Sequence, residues 1–475
     1  MPVAPTGSRP VVHLFIGLHK TGTSAVRLML DFHGAMLARH GFHLPRACWT
    51  RYINRFWNGG HNNVPWEICG HHPVLPQFGT LADLVSEIAA RPHLQHIVFS
   101  EDLDYANGAQ VQALAAALSA FDVRVIVFLR NQPDWLQSHY TEEHKWFGTG
   151  EDADWFLDRV RHDRRLHLDA LCIRWARAFG NRLTIRCYED IRTGVFGAFL
   201  DACGAPTGLR DAFAARAMPL VNASPDARTI ALVQAASSYA REQGIGAAYF
   251  NRVMAPALVT AGAAMPRTRA RIAMSDAART ELLVLMQRVN QAVAGAFGLE
   301  LGAEYWALPA EPESRPEPAL SPQLLMEMCI DLSTRAATRL RVAVDDPGAE
   351  FEALAASYYP WDRVGDPASR APLHALLADT LGPGPAALYL ERRGNVGAAY
   401  RQHDGTLTAL RSLGPAEWDD LVRVVRASAR LNRVSWNNLC EGLLRFDGPR
   451  GAVPLWVRLV PAVDGEVVMI EPVDR

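Results

Sequence analysis

The segment Gly17-Leu18-His19-Lys20-Thr21-Gly22-Thr23-Ser24 gathers two glycines, a histidine, a lysine and three hydroxyls directly after an apolar run, 11–16. A buried strand, a glycine-bounded turn and a helix start, in that order, can hold a phosphate-like anion. Successive backbone N–H groups converge on the ligand, and the helix dipole adds a favourable potential. Gly17 and Gly22 have the spacing of the triphosphate loop G-x-x-x-x-G-K-[ST], and Ser24 fills its final hydroxyl. The lysine position, however, holds Thr23, and the cation stands three residues earlier, at Lys20. A lysine after the second glycine reaches β- and γ-phosphates beside a magnesium-bound hydroxyl. Moved to the apex, it stands beside the bond to be broken. Thr21, Thr23 and Ser24 then serve as neutral donors to a smaller, less charged terminal group.

A second stretch, Val125-Ile-Val-Phe-Leu-Arg130 followed by Ser138 eight positions later, caps a buried strand with a guanidinium and sets a hydroxyl on the next helix. Arg130 can pair with a phosphate in bidentate fashion, and Ser138 can add a hydrogen bond. A third, Thr184-Ile-Arg-Cys-Tyr188-Glu189-Asp190, puts an aromatic ring and two acids at a strand end. Tyr188 suits an edge or stacking contact, or a place in the core. Fourteen of the sixteen histidines precede residue 170, so proton-transfer chemistry belongs to the N-terminal part. Three residues are candidates for a general base: Glu101, after the strand 96–100, and His71 and His72, in an aromatic-rich stretch. Glu101 has a structural alternative, orienting Lys20 or capping the helix that follows.

The loop K-T-G-T-S after an apolar strand resembles the 5′-phosphosulfate loop of sulfotransferases that use 3′-phosphoadenosine 5′-phosphosulfate (PAPS). Arg130 and Ser138, 110 and 118 residues after Lys20, are similar to the element that holds the 3′-phosphate in that family, and Tyr188 to a tyrosine near its adenine. The resemblance covers roughly residues 10–300. It implies a donor site made of His19, Lys20, Thr21, Gly22, Thr23, Ser24, Arg130, Ser138 and Tyr188. It also implies PAPS as sulfuryl donor, 3′,5′-bisphosphoadenosine (PAP) as product, and no metal. Members use either a glutamate or a histidine as base, so the choice among Glu101, His71 and His72 stays open.

These residues need elements to position them. Short apolar runs at 11–16, 96–100, 123–129 and 182–188 alternate with amphipathic stretches near 22–39, 81–90, 108–120, 133–146 and 152–179. That pattern predicts a P-loop-type parallel sheet sandwiched by helices, with ligands beyond the carboxyl ends of its strands. Residues 41–80, with Trp49, Phe56, Trp57, Trp66, His61, His71 and His72, read as a long irregular insertion, either an acceptor wall or a stapled surface loop. Residues 210–300 are alanine-rich and helical in pattern.

Five prolines among acidic residues in 308–322 mark a semi-extended linker. The expected division is a sulfotransferase-like domain over 1–305, a linker over 306–322, a helical connector over 323–384 and a small α+β domain over 385–475. In the last part, strands at 386–391 and 396–402 flank the Arg393-Gly394-Asn395 turn, and His403-Asp404-Gly405 is a further turn. A helix over 415–431 and strands at 443–447, 453–460 and 466–471 follow. With its series of D-G turns, this part resembles the small domain that precedes the motor core in secretion and pilus-assembly ATPases. The chain stops where that core would begin, so the resemblance implies a docking or self-association unit. Arg401 and Arg458 are placed for contacts between modules or on a solvated sheet face.

Composition describes an ordinary globular chain: 49% hydrophobic, 21% charged, net charge −2. That balance gives no reason to expect nucleic-acid binding. No run of about 18 apolar residues predicts a membrane span, and 1–10 lacks the apolar core of a signal peptide. Seven cysteines without C-x-x-C pairs favour reduced thiols and a cytoplasmic location. Two other functions remain open on sequence. One is a nucleotide-dependent kinase or ATPase with a drifted loop, for which Ile97–Asp102 weakly mimics a magnesium-binding strand end. The other is a non-catalytic adaptor that works through its C-terminal module. The acceptor of a transferase would be a small molecule, glycan or peptide that the sequence does not specify.

Overall fold

A computed structural model describes residues 9–50, 59–147, 153–180, 182–216, 218, 227–242, 255, 258, 274–309 and 367–472, apart from 383, 385, 404–405, 429–439, 449–450 and 463–464. Phe56, Trp57, most of the linker and the expected helical connector up to residue 366 lie outside the described residues, as do Asp404, Gly405 and Asp464 of the expected D-G turns.

Five parallel strands form the first sheet: β1 (Val11–Phe15), β2 (Phe42–His43), β3 (Gln95–Phe99), β4 (Asp122–Leu129) and β5 (Leu183–Cys187), in the order β2-β3-β1-β4-β5. Both faces are covered, so each interior strand is apolar on both sides. Along β4, Val123, Val125, Val127 and Leu129 enter one core, while Ile126 and Phe128 enter the other. The short β2 was not anticipated, because two residues carry no alternation to detect. The stretch 152–179, expected as one helix, is two, Ala153–Val160 and Leu168–Phe179. The break contains the Asp163–Arg165 turn, in which Arg165 bonds back to the Asp163 carboxylate.

The chain order fixes where a ligand can sit. From β1 it leaves through helix α1 (Thr23–Arg39) toward β2, and from β4 through the helix Gln132–Phe147 toward β5 on the other side. β1 and β4 are neighbours whose outgoing loops diverge, and a crevice opens between such loops at the strands' carboxyl ends. These two loops carry Lys20 and Arg130.

The second sheet is six-stranded and antiparallel: β6 (Ala387–Arg393), β7 (Val396–His403), β8 (Thr406–Leu413), β9 (Cys440–Gly448), β10 (Gly451–Ala462) and β11 (Gly465–Pro472), in the order β8-β7-β6-β11-β10-β9. β8 was missed in sequence because its side chains are mostly exposed and it lacks an apolar face. Period-2 alternation sends Leu388, Leu390, Leu455, Val457, Leu459, Val468 and Ile470 to a core shared with the helices Pro367–Leu381 and Pro415–Ser428. The first of these helices, expected in the connector, is thus part of the second core. The alternate set, Ala387, Tyr389, Val460, Ala462, Val467 and Met469, packs against Leu28 and Phe32 of α1. The solvated-face role expected for Arg458 is therefore corrected: it is 2% exposed, paired with Asp31 and Glu471. Arg401 donates to the Thr380 carbonyl at 2.9 Å. Among the described residues no helix is long and apolar enough to cross a membrane.

Phe15 closes the strand that feeds the loop. Its ring stacks on Phe99 at 4.5 Å and meets Phe128 edge-on at 5.1 Å and Phe199 at 5.7 Å. Phe15→Ala is expected to lower unfolding free energy by about 3–5 kcal/mol. Urea denaturation of the full chain checks this, and a loss below about 1 kcal/mol would contradict the central place given to that ring.

Candidate functional site

Two glycines set the shape of the loop after β1. Gly17 has φ 105° and Gly22 has φ 77°, where L side chains are strained. A Cβ on Gly22 would also meet Val195 at 3.2 Å and Tyr188 at 3.5 Å. Lys20, between them, is held at φ 70°. That conformation costs a residue with a side chain about 1–3 kcal/mol and persists only where the surroundings impose it. Gly22 is the N-cap of the 17-residue α1; no side chain caps the helix, and its first turn holds no acid. The first N–H groups of an α-helix are the ones left without intrahelical carbonyls, which is what an anion cradle uses.

The expected hydroxyl donors are less available than the spacing suggests. Thr21 Oγ1 donates to the Leu18 carbonyl at 2.6 Å, and Thr23 Oγ1 donates to the Glu101 carboxylate. A hydroxyl has one proton, so both are engaged within the protein and help hold the turn. Ser24 is buried in the first turn of α1.

The loop after β4 closes on the loop after β1. Arg130 Nη1 donates to the Lys20 carbonyl at 2.6 Å, and its guanidinium lies 5.1 Å above the centre of the Tyr188 ring. Arg130 Nε is buried and has no partner. Glu189 fixes this geometry from β5's end. Its Oε1 accepts from the Asn131 side chain at 2.7 Å and its Oε2 lies 2.6 Å from the Tyr305 hydroxyl. Asn131 in turn accepts the Asp134 N–H at 2.9 Å, which starts the Gln132–Phe147 helix. Glu189 is one of the two acids that follow β5. Its role depends on Tyr305, 116 residues away, and has no local signal.

Lys20 Nζ pairs with Glu142, not with Glu101. Glu142 is one turn beyond Ser138 on the same helix, so both side chains share the face turned to the loop. Helical period alone would have found Glu142 once Ser138 was named.

A single 3₁₀ turn, Glu101–Tyr105, delivers three carboxylates beside the loop. Glu101 takes the Thr23 hydroxyl. Asp104 accepts from the His19 backbone N–H at 2.9 Å and lies 2.6 Å from its Nδ1. Asp102 sits between two imidazoles, 3.3 Å from His19 Nε2 and 3.6 Å from His71 Nε2, and accepts from Trp66 Nε1 at 3.0 Å. The insertion thus reaches the site through Trp66 and His71. His72 is exposed at its rim, with its ring 5.7 Å from Trp66. His61, by contrast, is a buried strut: burial holds its pKa down at about 4, and its ring joins Pro45 and Phe99.

Burial opposes the His19 imidazolium, but Asp104, Glu101 and Asp102 outweigh it, and its pKa is raised well above the usual value. Burial also pushes the Asp102 carboxyl up, yet hydrogen bonds from His19, His71 and Trp66 hold it well below the carboxylate range. Arg165, stacked on Tyr105 at 4.3 Å, is held charged by Asp163 against its own burial. His139 is pushed well below the usual value first by burial and then by Arg165, Lys20 and His19. The site is therefore a set of cations interleaved with carboxylates, and among the described residues no group of three or more His, Cys, Asp or Glu converges as a metal site would.

A raised native pKa stabilises the fold fully below the unfolded value, about 6.5. That contribution is lost as pH rises through the native value. NMR titration of His19 is expected to give a midpoint above 6.5, and His19→Gln is expected to flatten the alkaline fall in stability. A midpoint at or below 6.5 would contradict the carboxylate clamp.

No family model matches the chain, and no curated protein matches it. Among solved structures, it is similar to a sulfotransferase from Alicyclobacillus acidocaldarius at 13% identity and a TM-score of 0.35, over 62% of this chain and 99% of that one. A likeness at this level identifies no activity.

Proposed function

We propose that the chain is a sulfotransferase that moves a sulfuryl group from PAPS to a hydroxyl or amine of a small-molecule, glycan or peptide acceptor. The observation that carries this reading is the meeting of the two loops. The apex cation and the strand-end guanidinium, 110 residues apart, lie on one crevice, with Arg130 Nη1 on the Lys20 carbonyl and Nε buried without a partner. One adenosine ligand with anions at both ends fits such a pair. A loop with Thr23 in place of the second-glycine lysine does not fit a magnesium triphosphate equally well.

In this reading the N–H groups at the start of α1 hold the 5′-phosphate and sulfuryl oxygens. Lys20, released from Glu142, neutralises the charge that grows on the phosphate oxygen as its bond to sulfur breaks. Arg130 and Ser138 hold the 3′-phosphate, and Tyr188 lies beside the adenine. Glu101 is engaged with Thr23, so the base role passes to His71. Its ring takes the acceptor's proton as the new S–O or S–N bond forms, and Asp102 stabilises the resulting imidazolium. PAP leaves with the electron pair of the broken bond. The described cysteines Cys48, Cys69, Cys172, Cys187 and Cys203 are free, which fits a reducing cytoplasm. A division at the proline-rich linker, with the C-terminal part as a docking unit, fits the core that the second sheet forms with its own two helices.

Calorimetry is expected to show PAP binding without magnesium and weak binding of ATP. Arg130→Ala is expected to weaken PAP roughly tenfold to a hundredfold, the loss of a charge-assisted hydrogen bond. Unchanged affinity would remove the 3′-phosphate assignment, and tight magnesium-dependent ATP binding would favour the kinase reading. With labelled PAPS and an acceptor panel, Lys20→Ala is expected to cut turnover by about 10²–10³-fold. His71→Asn is expected to cut turnover by far more than Glu101→Gln at unchanged PAP affinity; the reverse result would return the base role to Glu101.

A further inference from the structure

α1 has two ends with different partners. Its N-terminus completes the anion loop. Its third turn is seated on the second sheet, where Leu28 and Phe32 join Tyr389, Val460, Val467 and Met469. The helix is interrupted at His33, whose φ −121° and ψ 21° are not helical. In an unbroken helix the Phe32 carbonyl would accept from the N–H four residues on. Here Gln402 of β7 donates its side-chain N–H to that carbonyl at 2.7 Å, inside the interface. The buried His33 ring is held between Phe213 at 5.4 Å and Tyr389 at 5.1 Å. One residue before Phe32, Asp31 pairs with the buried Arg458 of β10, whose guanidinium stacks over Phe32 at 4.5 Å and Trp456 at 4.6 Å and also meets Glu471 at 2.6 Å. A third tie, Arg216 to Glu391 at 3.1 Å, joins the residues after the Thr207–Ala214 helix to β6.

A kink whose Phe32 carbonyl is bonded from another sheet is a fixed point on the helix. It lies about three turns, roughly 15 Å, from the loop. Lys20 must be held in a conformation that it would not adopt unaided, and the helix leaving Gly22 is one of the surroundings that impose it. We propose that Arg458 and Gln402 are positioning residues for the anion loop: the C-terminal sheet clamps α1 at its kink and so keeps the loop at the other end of that helix in its binding shape. The docking partner of this face of the C-terminal sheet is then the chain's own loop-bearing helix. The nucleotide part of the proposal rests on the function proposed above; the cooperative link between α1 and the sheet does not.

Two measurements on the full-length chain test it. Native-state amide exchange in rising denaturant is expected to show amides of 27–37 opening together with β6, β10 and β11. Opening with β1 and β4 alone, while the C-terminal strands open separately, would overturn the clamp. Next, Gln402→Leu and Arg458→Met are expected to weaken PAP about tenfold and to speed exchange over 27–32 by a similar factor, with β1 and β4 protection unchanged, while Arg458→Lys restores much of both. Folded variants that bind PAP with wild-type affinity and exchange as wild type would overturn the positioning role. If wild type does not bind PAP at all, the proposed function fails, and the exchange pattern still decides the clamp. If the variants do not fold, the wild-type exchange experiment decides it alone.

Discussion

One hydrogen bond joins the parts that matter: a guanidinium at the end of β4 donates to the carbonyl of the residue at the apex of the loop after β1. It exists because β1 and β4 are adjacent while their outgoing connections run to opposite sides of the sheet. Any exchange of strand order would separate Lys20 from Arg130. The bond also acts on backbone conformation. Lys20 has a positive φ, and a carbonyl fixed by Arg130 on one side and a helix fixed by its own docking on the other leave the loop little freedom to relax.

The electrostatics follow from the same crowding. Cations gathered in a partly buried crevice repel one another unless counter-charges sit close by. Asp104 and Asp102, on the five-residue 3₁₀ turn, hold His19 charged; Asp163 does the same for Arg165, and Glu142 pairs with Lys20. The cost of burying these carboxylates is offset by short contacts from several donors each, as Asp102 shows with His19, His71 and Trp66. Lys20 and Glu142 are both partly exposed, unlike Asp104, so theirs is the pair least committed to the interior.

The second sheet changes the status of α1. A helix that follows the central strand of a parallel sheet is ordinarily covered by neighbours of its own sheet. Here its outer face is covered by a sheet from more than 350 residues later, with a buried arginine and a glutamine reaching its polar groups. Buried polar contacts of this kind specify an arrangement more than they stabilise it. The alternation of β6, β10 and β11 serves two different cores, one apolar and one that also holds the buried Arg458 and Glu391.

Much of this was legible in the chain itself. The order strand, Gly17, Lys20, Gly22, hydroxyls is local, and so are the strand runs, because backbone geometry demands particular residue types within a few positions. Helical period and apolar alternation determined the existence of both sheets. What only the tertiary structure decided is who meets whom. Glu142 rather than Glu101 reaches Lys20, His71 shares a carboxylate with His19, Glu189 needs Tyr305, and Arg458 finds Asp31. Each is a contact between residues far apart in sequence, and a charged or hydroxyl side chain carries no mark of its partner. Its role is set by desolvation and distance, and those come into being only when the two sheets and their loops are packed together.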